Sequence, residues 1–317
     1  MAGEGGTAYK ASRATKGLCM KKIPVRQTIV AAYRFTFVHL EKVIALIWLP
    51  MIVITVGDYF SSGAALSGRA AAVDSGDFSQ MGPVMATQFA FAMVELVLLC
   101  VIGVAITREI LSPMDKRHSF LRFSLGMAEM RAVGGFAGIY LLAILVALVC
   151  VVSGTLLSGL AGSGFAGLPA GQAAVGFAGL IGFVLLPVLL LVFVRLGYFI
   201  VPFAVIGGKL GLEQSWGLAK GNVLRIIAIS LAVTIPPVLV GAVATGIVLG
   251  PDVFVPHFEM LGDKGALDRI ALEQLRQRAA HLPLLEGIAF ILAPFLYGLC
   301  FSAPAFAYKF LTAKDEA

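Results

Sequence analysis

Of 317 residues, 59% are hydrophobic and 13% charged, with a mean hydropathy of +0.94; ordinary soluble domains carry roughly 25% charged residues, so a water-soluble fold is excluded. The net charge of +6 does not point to nucleic acid, because the Lys and Arg residues sit beside apolar stretches, where they act as orientation signals. The bilayer is the expected solvent.

Residues 1–26 read as a basic tail. No apolar stretch follows until about Val43 and no small-residue cleavage site is evident, so the first span is expected to be a retained signal-anchor. A crossing helix needs roughly 20 mostly apolar residues. Six segments within residues 27–311 meet that need: 43–60, 85–106, 132–157, 173–206, 226–249 and 284–306, with 312–317 as a second short tail. The fourth exceeds the requirement and contains Pro187 and Pro202, so a kink, a tilt or a continuation beyond the membrane surface is expected. The fold class is thus an all-α integral membrane protein with six transmembrane helices and short amphipathic interfacial helices.

Lys and Arg number 8 before the first span, 5 from Arg108 to Arg131, 3 from Lys209 to Arg225 and 2 after the last span, 18 in all. The alternate connectors hold 5, namely Arg69, Lys264, Arg269, Arg276 and Arg278, while Arg195 lies inside a span. By the positive-inside rule both termini face the cytoplasm, in keeping with an even number of crossings. Residues 33–39, 120–125 and 215–221 each lead basic and apolar side chains into a span. Their similarity suggests three two-helix units, and the stretches read equally as interfacial helices contacting anionic headgroups or as plain helix extensions.

On the opposite side, residues 61–84 are small and polar and are expected to be a flexible connector. The Gly-rich residues 160–172 form an uncharged one. Within 251–283 the stretch 266–280 is expected to be a short amphipathic helix on the surface.

Glu95 stands near the middle of the second span, where an unpaired carboxylate is costly. Arg195, well inside the fourth span, is its natural partner. The pair reads either as a proton or substrate site or as a buried pair that fixes helix register, with Arg195 alternatively snorkelling to headgroups. No cofactor and no metal is expected. His39, His118, His257 and His281 lie at span edges, so no span supplies paired haem ligands. No His-Glu-x-x-His is present, and Ser153 and Ser163 lack a neighbouring histidine to activate them. Cys19, Cys100, Cys150 and Cys300 form no close pair and read as packing residues.

Gly134 and Gly138, Gly246 and Gly250, and the series Ala174, Ala178, Gly182 place small residues on single helix faces, which lets backbones approach in lipid. Pro50, Pro236, Pro237 and Pro294 fall within spans; they read as cavity-lining breaks or as kinks satisfied by neighbours.

Arg195 begins a run that reaches Pro202, and an amphipathic turn then carries Ser215, Lys220 and Gly221 just before the fifth span. Over about 30 residues this pattern resembles the bacterial six-span family typified by the membrane domain of glycerophosphoryl diester phosphodiesterases and by YciC-like inner-membrane proteins. The resemblance implies a bacterial inner-membrane location and six spans, and it carries no catalytic residues. The spans consume nearly all of these residues, so no attached phosphodiesterase domain and no lipid-phosphodiester hydrolysis is expected. The resulting expectation is a non-enzymatic accessory, scaffold or regulatory protein that packs with other envelope proteins or with itself. The alternative is a small permease or lipid-handling transporter built around Glu95 and Arg195.

Overall fold

The computed structural model describes residues 22–75, 81–112, 126–160, 187–189, 191–206, 212–250 and 264–313. Every described element is helical: α1 (Val25–Val38), α2 (Leu40–Ser75), α3 (Met81–Leu111), α4 (Met127–Leu160), α5 (Ile200–Ile206), α6 (Leu212–Ala219), α7 (Val223–Leu249) and α8 (Lys264–Thr312). Six stretches are long and apolar enough to cross a membrane: Leu40–Ser75, Met81–Leu111, Met127–Val146, Pro187–Ile206, Val223–Leu249 and Leu282–Thr312. Each overlaps one of the six segments expected from hydropathy. Along α7, Leu224 is 81% and Ile247 79% exposed. Large apolar side chains directed outward suit a helix solvated by lipid.

Two sequence expectations change. Residues 61–84 are mostly helical, because α2 continues to Ser75 and α3 begins at Met81. Ala64, Ala65 and Ala70 to Ala72 are strong helix formers, and Ala65 and Ala72 are buried. Small residues had suggested a flexible loop where alanine specifies a helix. The amphipathic stretch 266–280 is helical as expected but continuous with the last span, since α8 runs unbroken over 49 residues through Pro283, Pro294 and Pro304. Pro50, Pro236 and Pro237 lie within continuous α2 and α7, as the alternative of prolines tolerated inside a span expects and against breaks at these positions. Each proline deletes one donor, and in apolar surroundings the rest of the helix remains the best way to satisfy the backbone.

Ahead of the first span, α1 buries Thr28, Ala32 and Thr36, four residues apart, and leaves Arg26 and Arg34 exposed. It meets α2 at a turn at His39, across which helical bonding persists: His39 N–H donates to Phe35 O and Val43 N–H to His39 O, both at 2.9 Å. This stretch is thus a helix extension in its backbone and an amphipathic helix in its side chains. Residues 113–125, which include the second such stretch, lie outside the described residues, as do Ala174, Ala178 and Gly182.

The chain divides into two units. One comprises Arg26–Leu125 and Ile229–Phe306; the other comprises Met1–Val25, Gly126–Ala228 and Ala307–Ala317. In the first, hereafter the hairpin unit, α2 and α3 pack along their length. Its core runs through Val43, Ile47, Met51 and Ile54 of α2, Leu98, Ile102, Ile106 and Ile110 of α3, and Ala293 and Ala305 of α8. The spacing of three and four residues places each set on one helix face. Glycine permits the closest approaches: a Cβ on Gly57 would overlap the Phe91 ring, and one on Gly298 would lie 2.7 Å from Thr36 Cγ2.

In the second, the elbow unit, α5 packs against α4 and α6. A Cβ at Gly135 would lie 2.9 Å from Ile200 Cγ2, so Gly135, adjacent to the expected Gly134, carries that contact. A Cβ at Gly138 would meet nothing within 4 Å. Gly250 is not a packing residue: its φ of +87° follows the last turn of α7, the left-handed conformation of a helix C-terminus.

Candidate functional site

The face of α2 that carries Val43, Ile47 and Ile54 reaches Asp58 one turn later and Ser62 one turn after that. On α3, Glu95 precedes Leu98 by three residues on the face that continues through Ile102. On α8, Glu286 precedes Phe290, Ala293 and Tyr297 on the same face. Helical periodicity therefore extends each apolar stripe into one carboxyl group and directs all three inward.

The structure places the three carboxyls in the same helical unit. All three are partly buried, and Asp58 interacts electrostatically with both Glu95 and Glu286. Tyr297 packs against the hairpin-unit core, and Cys300 Sγ is 3.7 Å from Thr234 Oγ1 of α7. Among the described residues no ion pair joins any of the three carboxyls to Lys, Arg or His; the Lys42 to Glu109 pair at 4.0 Å is elsewhere in the unit. Among the described residues no three His, Cys, Asp or Glu are grouped so as to hold a metal ion.

A cavity of about 220 Å³ opens at one end of this stripe. Ser62, Arg69, Gln88, Arg278, Leu282 and Glu286 line it, so Glu286 belongs to both the cavity and the carboxyl group cluster. Arg69 Nη2 donates to Gln88 Oε1 at 3.5 Å.

Glu95 belongs to the hairpin unit and Arg195 to the elbow unit, and each has neighbours within its own unit. The Arg195 guanidinium lies over the Trp216 ring, 4.6 Å from its centroid, a cation–π arrangement. Its Nε makes no hydrogen bond.

The remaining residues of the family-like pattern build a helix elbow around Arg195. The helix is interrupted at Tyr198 and Phe199, where carbonyls lose helical donors. Ser215, fully buried, supplies one: its Oγ donates to Arg195 O at 3.0 Å and Leu196 O at 2.8 Å, sharing a single proton. Pro202 sits in the first turn of α5, where a missing N–H costs nothing. Lys220 N–H donates to Trp216 O and Gly217 O, both at 3.2 Å, and closes α6. Gly221, with φ of +79°, turns the chain.

The next residues hold the segment ahead of α1. Asn222 Oδ1 accepts from Ile23 N–H at 3.0 Å, and Arg225 Nη1 donates to Ile23 O at 2.7 Å. Both polar groups of one buried backbone residue are thereby satisfied.

Sequence alone singles out Glu95 and passes over Asp58 and Glu286. Both stood within their assigned spans, two residues from the ends at 60 and 284, where a carboxylate reads as a boundary residue. Their spacing of four from Ile54 and from Phe290 was the available signal.

No family model, no curated protein and no solved structure matches the chain. Its class rests on the fold itself: an all-α, multi-pass membrane protein with six helices long and apolar enough to span a bilayer.

Proposed function

We propose that this protein is a proton-coupled permease of small solutes or lipid headgroups, located in a bacterial inner membrane with both termini cytoplasmic. The supporting observation is that three membrane-compatible helices of one unit each carry a partly buried carboxyl, Asp58, Glu95 and Glu286, with Asp58 acting electrostatically on the other two and Glu286 lining an open cavity. Ionisable groups at membrane depth that lack basic partners characterise proton relays and ion pathways. The excess of Lys and Arg in one set of connectors supports the orientation. The pattern of Arg195, Pro202, Ser215, Lys220 and Gly221 supports the likeness to the six-span inner-membrane family and contributes architecture, because its polar groups are used in the elbow.

Proteoliposomes loaded with a pH-sensitive dye and given a pH step test the reading across a panel of amines, amino acids and phosphorylated amines. At least one solute should drive proton flux, and Glu95→Gln or Asp58→Asn should lower that flux at least tenfold. Solute-driven flux that survives both substitutions removes the carboxyl cluster from the mechanism.

A second reading, an accessory or scaffold role, draws on the open α4 face around Gly138. A stoichiometric protein partner recovered in native nanodiscs and lost in Gly138→Leu favours it; recovery of the protein alone in repeated preparations counts against it.

A further inference from the structure

The cavity at the end of the acidic stripe contains charges of both signs that do not neutralise one another. Arg69 and Arg278 line it together with Glu286, yet no ion pair joins Glu286 to either arginine among the described residues. Geometry accounts for the separation on α8, where Arg278 and Glu286 are two turns apart, about 12 Å along the axis at 1.5 Å per residue. Both residues line the same cavity. About 220 Å³ exceeds the volume that one water or one bare ion occupies.

We propose that this cavity binds a small zwitterion, its oxyanion group held by Arg69 and Arg278 and its primary ammonium by Glu286. Guanidinium groups match the planar, two-oxygen presentation of carboxylate and phosphate. Ser62 and Gln88 supply neutral hydrogen-bonding partners, and the buried Leu282 provides an apolar wall for a short carbon linker. A free molecule and the headgroup of a lipid present this chemistry equally well; phosphoethanolamine carries it in both forms. The proposal rests on the carboxyl-cluster reading only through Glu286, which both share.

The test uses the purified full-length protein in two arms: calorimetric binding of O-phosphoethanolamine in detergent, and native mass spectrometry from nanodiscs containing phosphatidylethanolamine or phosphatidylglycerol. Arg69→Gln combined with Arg278→Gln should weaken binding at least tenfold; both side chains are exposed, so the fold tolerates their loss. Glu286→Gln should retain the oxyanion and abolish the preference for phosphoethanolamine over inorganic phosphate. Binding in the detergent arm assigns a soluble source, and selective retention of phosphatidylethanolamine assigns a headgroup. The proposal is overturned if neither probe binds in either arm, if the double arginine variant binds as the native protein does, or if Glu286→Gln keeps the preference. Neither arm involves a proton gradient, so failure here and failure of the permease reading are separable.

Discussion

At the scale of single residues, the carboxyl groups proposed for proton exchange also bear on stability, because like charges repel. Asp58 faces Glu95 and Glu286 electrostatically, and replacing one member of a like-charged group with its isosteric amide relieves repulsion. Asp58→Asn should therefore raise the thermal unfolding midpoint in detergent, with a gain of about 0.5–2 kcal/mol, while it abolishes proton flux. A lower midpoint shows that the carboxylate has a stabilising partner. Ser215 behaves in the opposite way. Ser215→Ala strips the donor from Arg195 O and Leu196 O, and leaving a buried acceptor unsatisfied costs about 1–3 kcal/mol; denaturant unfolding of the variant against the native protein measures it. Ser215 was legible in the sequence as part of a pattern, but its role was not, because hydrogen bonds to carbonyls some 20 residues away have no local signature.

At the scale of elements, helix existence was readable and helix extent was not. Hydropathy locates the part of a helix that lies in lipid; it is blind to the part beyond. The continuation of α2 through residues 61–75 depends on alanine propensity and on the burial of Ala65 and Ala72, and that of α8 on an unbroken backbone through Pro283. Packing of α2 on α3 requires a bare Cα at Gly57. Gly57→Ala forces the Phe91 ring out of its seat and should cost about 1–3 kcal/mol, as overpacked cores do; a midpoint equal to that of the native protein shows that the ring relocates freely. The elbow makes a kinetic prediction as well. Asn222→Ala frees Ile23 N–H, so trypsin cleavage after Lys22 and Arg26 should accelerate severalfold in a folded sample, and an unchanged digestion rate contradicts the clamp.

At the scale of the whole molecule, charge asymmetry and the carboxyl cluster make separate claims. The 18 Lys and Arg residues on one set of connectors, against 5 on the other, predict that a Ser75→Cys thiol reacts with an impermeant maleimide in intact cells, whereas an Ala313→Cys thiol reacts only after permeabilisation. The reverse pattern inverts the topology and places the cavity in the cytoplasm. The six spans could be counted from composition. Their pairing into a unit that gathers Asp58, Glu95 and Glu286 could not, since it depends on which helices pack against one another. Proton exchange at these carboxyls, as proposed, is tested most directly by carbodiimide labelling. Dicyclohexylcarbodiimide partitions into apolar surroundings and modifies carboxyl groups in their protonated form. Treatment of the protein in native nanodiscs across a pH series, read by peptide mass spectrometry, should modify Glu95, with labelling that falls as pH rises and diminishes when Asp58 is changed to Asn. Absence of label at Asp58, Glu95 and Glu286 at every pH contradicts the account.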